Sequence, residues 1–162
     1  MIELTPEQIK EYFHRSYTAV DGLWFMKVEE KFGFEAALDI DDEVWKVFAM
    51  IQARMLKSMS GMSGGMDALL ECLTTKLDME GFKFAAEQSG EHSRFTMDIV
   101  DCPWHNLMIK SQRENLSGAV GNLICNTEYA VWAAEFGDKI AFRLGERICG
   151  GAARCLLHFE VV

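Results

Sequence analysis

The chain has no surplus of basic residues, no long apolar run and no paired-cysteine motif, and each absence removes a class of function. Its 16 lysines and arginines face 25 aspartates and glutamates, a net charge of −9, and no predicted face carries a basic stripe. Such a surface repels a phosphate backbone, which argues against nucleic acid as a partner. No stretch reaches the roughly 18 apolar residues of a membrane helix. The first twenty residues include Glu3, Glu7, Lys10 and Glu11, unlike a signal peptide. The cysteines number 5, an odd count, and none sits in a C-x-x-C pair. Reduced thiols in a cytoplasmic protein are therefore expected. Nothing resembles a glycine-rich phosphate loop, a GxSxG elbow or an HExxH helix. No internal repeat or low-complexity segment is present either.

What remains is ordinary material for a folded protein. Across 162 residues, 49% are hydrophobic and 25% charged, enough for one domain with a proper core. We read residues 1–162 as that single domain, with a helical half (1–81) and a mixed half (82–162). Thr5-Pro6-Glu7-Gln8 is a compact helix start. Ile9, Phe13, Tyr17, Val20, Trp24 and Val28 follow at helical spacing, and Gly33 stops the run. Asp21 and Glu29 lie beside this stripe, either as boundary carboxylates or lining a pocket. The acidic cluster Asp39–Glu43 suits the start of a second helix, whose stripe is Val44, Phe48, Ile51, Met55 and Met59. Methionines run on into Gly61-Met62-Ser63-Gly64-Gly65, expected to be a mobile link. They serve as core filler or as an adaptable surface for a ligand or a second copy. Met66, Leu69, Leu70, Leu73 and Leu77 make a third helix, with Cys72 off its stripe.

From Phe82 the period becomes two. Phe82, Phe84 and Ala86, then Phe95, Met97 and Ile99, predict a hairpin with one wet face. A short helix follows Cys102, and a longer one from about Leu116 places Gly118, Gly121, Cys125, Tyr129, Trp132 and Phe136 on one face, with Asn126 as a point of kinking. Ile140, Phe142 and Leu144, then Cys155, Leu157, Phe159 and Val161, form a second hairpin. The expected fold is α+β: a four-stranded antiparallel sheet of two hairpins, covered on one face by helices, with a helical N-terminal half.

Chemistry concentrates at Cys102-Pro103-Trp104-His105. Proline suits the first helical position, so Cys102 falls at the N-cap, where free amides and the helix dipole favour thiolate. Strand parity turns Cys155 toward the helices and Cys149 away. Cys102, Cys125 and Cys155 are thus expected to converge, with Cys149 and Cys72 apart. Three readings stand side by side: structural thiols, a nucleophilic site of Cys102 with His105, and a zinc or iron site of Cys102, Cys125 and Cys155 with His105 or Cys149. An anionic substrate would need a guanidinium, for which Arg113, Arg143 and Arg54 are the candidates.

Further residues carry a resemblance. A cysteine in a helix, an arginine-bearing strand, Cys149-Gly150-Gly151 and then Cys155 entering a terminal strand are similar to the L-2-amino-thiazoline-4-carboxylic acid hydrolase-like family. Asp21-Gly22-Leu23-Trp24-Phe25, Glu29, Phe32-Gly33-Phe34 and Val44-Trp45 resemble a branch associated with that group. The resemblance implies opening of a sulfur–nitrogen ring by water, with Cys102, Cys125 and Cys155 as shared site positions. Taken with the residue reading, it gives a thiol-lined pocket that hydrolyses a small cyclic amide or thiazoline carboxylate. His105 then assists, Arg113, Trp24 and Asp21 contact substrate, and no cofactor is required. The alternative is a non-enzymatic sensor of a small ligand or metal. The expected partner is a small molecule, with homo-oligomerisation left open.

Overall fold

The computed structural model describes residues 2–162. Within it the chain divides into two compact units, one ending at Glu43 and one from Val44 to Val162. In the first, helix α1 (Pro6–Phe32) starts as its sequence dictates. Gln8 N–H donates to Thr5 Oγ1 at 3.2 Å, and Thr5 N–H donates to Gln8 Oε1 at 2.9 Å, so two orphan donors are satisfied reciprocally. Gly33 ends the helix with φ +89°, and its N–H closes on Glu29 O. No side chain of α1 is fully buried.

Helix α2 (Phe34–Ser60) begins directly after that single glycine. The acidic cluster therefore lies within the helix instead of starting it: Gly33 alone breaks the run, and glutamate and aspartate tolerate helical backbone well enough to be carried through. The α2 stripe also differs from expectation. Trp45, Ala49 and Ala53 are buried, whereas Val44, Ile51, Met55 and Met59 are exposed. Ala49 and Ala53 belong to the buried cluster that also holds Leu69, Leu73 and Leu77, so the small residues, not the large ones, face the core. Trp45 meets Trp104 edge-on at 5.6 Å between ring centroids.

Helix α3 (Met66–Met79) buries Met66, Leu69, Leu73 and Leu77 as its spacing predicts, and Cys72 with them. The link before it is anchored instead of mobile: Gly65 N–H donates to the Phe136 carbonyl at 2.7 Å. A Cβ at Gly64 would stand 2.8 Å from the same oxygen. Gly64→Ala should therefore lower stability by about 1–3 kcal/mol through overpacking against backbone, read as a shifted denaturant midpoint at unchanged slope.

Strands β1 (Lys83–Ser89), β2 (Arg94–Asp101), β3 (Ile140–Leu144) and β4 (Cys155–Val161) form one antiparallel sheet in the order β1-β2-β4-β3. The fold is thus α+β with a helical N-terminal half, as the pattern implies. Phe95, Met97 and Ile99 on β2 pair with Phe159, Leu157 and Cys155 on β4, which fixes one face as the core side. Phe95 stacks on Phe159 at 4.7 Å between centroids, a contact worth about 0.5–1.5 kcal/mol beyond burial. Helices α4 (Pro103–Lys110) and α5 (Glu114–Phe136) follow β2. Helix α5 is unbroken at Asn126, whose amide donates back to Asn122 O at 2.6 Å and so adds to the helix instead of kinking it. Among the described residues, no helix is long and apolar enough to cross a membrane.

Candidate functional site

The site is assembled at the end of the sheet where β2 gives way to α4 and β4 begins. Pro103 opens α4 with Cys102 at the N-cap. The Cys102 side chain makes no capping hydrogen bond, so the first-turn amides of Trp104 and His105 favour negative charge on its sulfur without bonding to it. Cys155 starts β4 opposite Ile99, and its sulfur accepts the Ile148 N–H at 3.2 Å. Cys125 lies on α5. Cys102, Cys125 and Cys155 all pack against the apolar core.

Cys149 joins them. The segment Gly145–Arg154 contains a 3₁₀ turn, Ile148–Gly150, so strand parity does not extend through it, and the expectation that Cys149 faces away is corrected. Its carbonyl and sulfur rest on α5 where only glycine leaves room. A Cβ at Gly118 would be 3.1 Å from Cys149 O, and one at Gly121 would be 2.6 Å from its Sγ. The expected close approach at these two glycines is therefore real, and the segment that approaches is this turn. Cys72 lies on α3 with 3% of its surface exposed, outside the group of thiols that influence one another.

Electrostatics sets the state of the four thiols. Burial pushes Cys102 up to about 11; the first-turn amides oppose this and lose, and Cys155 and Cys149 add to the rise. Burial raises Cys125 well above the ordinary range, helped by the Glu128 carboxylate and the other three sulfurs. Cys149 and Cys155 also rise through burial, with the Arg147 guanidinium pulling the other way. The expected thiolate at Cys102 is thus replaced by a neutral thiol. Sulfur is already poorly solvated by N–H donors, and removing water costs the anion more than two amides return.

A second feature lies alongside, unmarked by any motif. Lys76 is 2% exposed and sits between two buried carboxylates, 2.8 Å from Glu80 Oε2 and 2.7 Å from Glu128 Oε1. Gln52 Nε2 donates to Glu80 Oε1 at 3.3 Å. The ammonium also stands 5.9 Å from the ring centroids of both Phe82 and Tyr129. Burial favours loss of the Lys76 proton, but the Glu128 and Glu80 charges outweigh it and the net shift is upward. The Glu128 side chain places a negative charge beside Tyr129 and Cys125. That charge is one reason the Tyr129 hydroxyl and Cys125 thiol, next to Glu128, hold their protons; burial is the larger. A signal existed in the sequence: Lys76 and Glu80 are four apart, and Lys76 follows Leu69 and Leu73 on the buried face of α3.

The remaining predicted residues lie on several elements. His105 is half-buried on α4, and its Nδ1 is buried with no hydrogen-bond partner among the described residues. Arg113 is half-buried at the residue before α5. Arg143 is exposed and pairs in register with His158, on the wet side of the sheet. Arg54 makes a two-pronged pair with Glu135, at 2.9 and 2.8 Å. The guanidinium that does reach the thiols belongs to Arg147, held by Asn122 Oδ1. Asp21 and Trp24 lie on α1 in the other unit, Asp21 half-buried and Trp24 45% exposed. Among the described residues, no three Cys, His, Asp or Glu side chains already surround a common point as metal ligands would.

Fold and site together define an α+β protein with four neutral thiols gathered beside a buried lysine–carboxylate triad. The chain belongs to DUF6125, a family of unknown function, whose sequence model matches residues 4–148. No curated protein matches the chain.

Proposed function

We propose that the protein is a binding module for a soft, thiophilic ligand, taken up at Cys102, Cys125, Cys149 and Cys155. The observation that supports this most is the donor pattern around protonated sulfur. The Ile148 N–H donates to Cys155, Cys102 lies at the N-terminus of α4, and the Arg147 charge acts on Cys149 and Cys155. These donors stabilise negative charge on sulfur that the resting thiols do not carry, so they become effective when a ligand displaces the protons. Four thiols are a donor set that suits zinc or iron. Closing around an ion requires the side chains to turn inward, because they do not yet share a centre.

Protein purified without chelator, then titrated with cobalt(II) under reductant, tests this. We expect one equivalent bound, a thiolate-to-cobalt absorption band and release of protons. Cys102→Ser and Cys155→Ser should each abolish the band. A chain that takes up no metal and releases no proton removes the reading.

The position of Cys102 at a helix N-terminus and the buried His105 Nδ1 favour a second reading, in line with the resemblance to the aminothiazoline-carboxylate hydrolase group. Here a base takes the Cys102 proton, and the thiolate adds to the electrophilic ring carbon of a small cyclic amide or thiazoline carboxylate. The bond from that carbon to the ring heteroatom breaks with the heteroatom taking up the proton, and water then releases the product and restores the thiol. Ring opening by the metal-free chain, lost in Cys102→Ser, would put this reading first.

A further inference from the structure

Two charges act on the thiols from opposite ends. Glu128 bears on Cys125 and is itself paired with Lys76. Arg147 bears on Cys149 and Cys155, and its partner is neutral: the guanidinium is held by the Asn122 amide oxygen. Among the described residues, no carboxylate pairs with Arg147. Acids are not scarce, at 25 against 16 lysines and arginines, and Lys57, Lys76 and Arg154 each meet one. A half-buried guanidinium that an amide orients without neutralising is a prepared partner for an anion from outside the chain.

The backbone sets that guanidinium beside two of the sulfurs. Arg147 directly precedes the 3₁₀ turn, with extended φ −141° and ψ 131°. Its carbonyl accepts the N–H groups of Gly150 and Ala152, both at 3.0 Å, which pins the chain at this point. The next N–H, of Ile148, reaches Cys155 Sγ at 3.2 Å. Asn122 follows Gly121, where a Cβ would stand 2.6 Å from Cys149 Sγ. Arg147 is thus tied to Cys155 through its neighbour in the chain, and to Cys149 through the neighbour of Asn122. All of these residues belong to the unit from Val44 to Val162.

We propose that Arg147 makes this site selective for anionic thiophiles, small molecules that carry a carboxylate beside a sulfur-seeking centre. The planar fork takes the carboxylate, and Cys149 or Cys155 takes the soft centre. This selectivity rests on the thiol site proposed above and adds the charge of what enters it.

Iodoacetate and iodoacetamide are close in shape and differ in that charge. Both alkylate in the same way: the thiol proton goes to solvent, a sulfur–carbon bond forms and iodide leaves. The ratio of their rates at one cysteine, read by mass mapping, cancels the thiolate fraction and isolates the effect of charge. At Cys149 of the full native chain, iodoacetate over iodoacetamide should be roughly tenfold higher than in Arg147→Met. Arg147→Lys should keep part of this, as a point charge without the fork. Propionate should slow iodoacetate and leave iodoacetamide unchanged. Should Arg147→Met fail to fold, Asn122→Ala frees the guanidinium and should lower the ratio roughly threefold. A ratio unchanged by these substitutions overturns the proposal. So does a ratio that propionate leaves alone, which would mean that a carboxylate of the chain already fills the guanidinium. Absent cobalt uptake removes the metal reading and leaves this ratio in place, so the two failures are told apart.

Discussion

Replacing Lys76 by methionine should cost about 3–5 kcal/mol of stability, the largest single-residue effect we expect. Methionine matches the volume and keeps the apolar contacts, so packing is not what is lost. What is lost is the ammonium that pairs with Glu80 and Glu128 in a place without water. Two buried carboxylates then face each other, and protonating them at neutral pH consumes folding energy. For a domain of this size the melting temperature should fall by roughly 10 °C. Neutralising all three positions together, Lys76→Met with Glu80→Gln and Glu128→Gln, should recover most of the loss, because no uncompensated charge remains. Lys83→Met is the comparison: Lys83 pairs with Asp101 at 3.3 Å but is solvent-exposed, and such pairs contribute about 0–1 kcal/mol. Equal stability of the Lys76 and Lys83 variants would mean the triad is not the linchpin proposed. The pH dependence has a definite sign. The folded Lys76 binds its proton more tightly than the unfolded one. Its contribution is thus complete below about pH 10.4, the ordinary lysine value, and fades only above it.

The second large effect concerns the thiols. With Cys102 at about 11, its thiolate fraction near neutral pH is lower than that of an ordinary cysteine by roughly two to three powers of ten. Native protein should react with iodoacetamide at Cys102 a few hundredfold more slowly than the same chain in guanidinium. Mass mapping of the alkylated sites reads this directly. Fast labelling of native Cys102 at neutral pH would restore the nucleophile and sink the neutral-thiol description. Stability follows from the same shift. Unfolded thiols lose their protons near pH 8.5 while the folded Cys102 keeps its own. Between these values the native state binds more protons, so stability falls as pH rises from about 8.5 toward 11. Cys102 alone should account for roughly 3 kcal/mol of that fall.

Most of the secondary structure was legible from local pattern. The Thr5–Gln8 box, Gly33, the period-two runs of both hairpins and the proline after Cys102 each act over a few residues, and each lies where its chemistry requires. Parity on β2 and β4 was equally reliable, because alternation is a property of extended backbone itself. It failed at Cys149, where the backbone leaves the strand for a 3₁₀ turn and alternation has no meaning.

The residues alone thus determined the α+β class, the order of elements and the gathering of Cys102, Cys125 and Cys155 on the core side. Three matters were decided only by the tertiary structure. Which side of α2 is buried depended on what the rest of the core presents to it: Ala49 and Ala53 joined the buried cluster, whereas Ile51 and Met55 stayed exposed, a choice that the helical spacing of large apolar residues does not encode. The burial of Lys76 became stable only once α5 brought Glu128 to join Glu80, a partner 52 positions away in sequence. The protonation of Cys102 turned on a balance between first-turn amides and lost water. The amides could be read from Pro103, but the depth of burial is a property of the whole packed core.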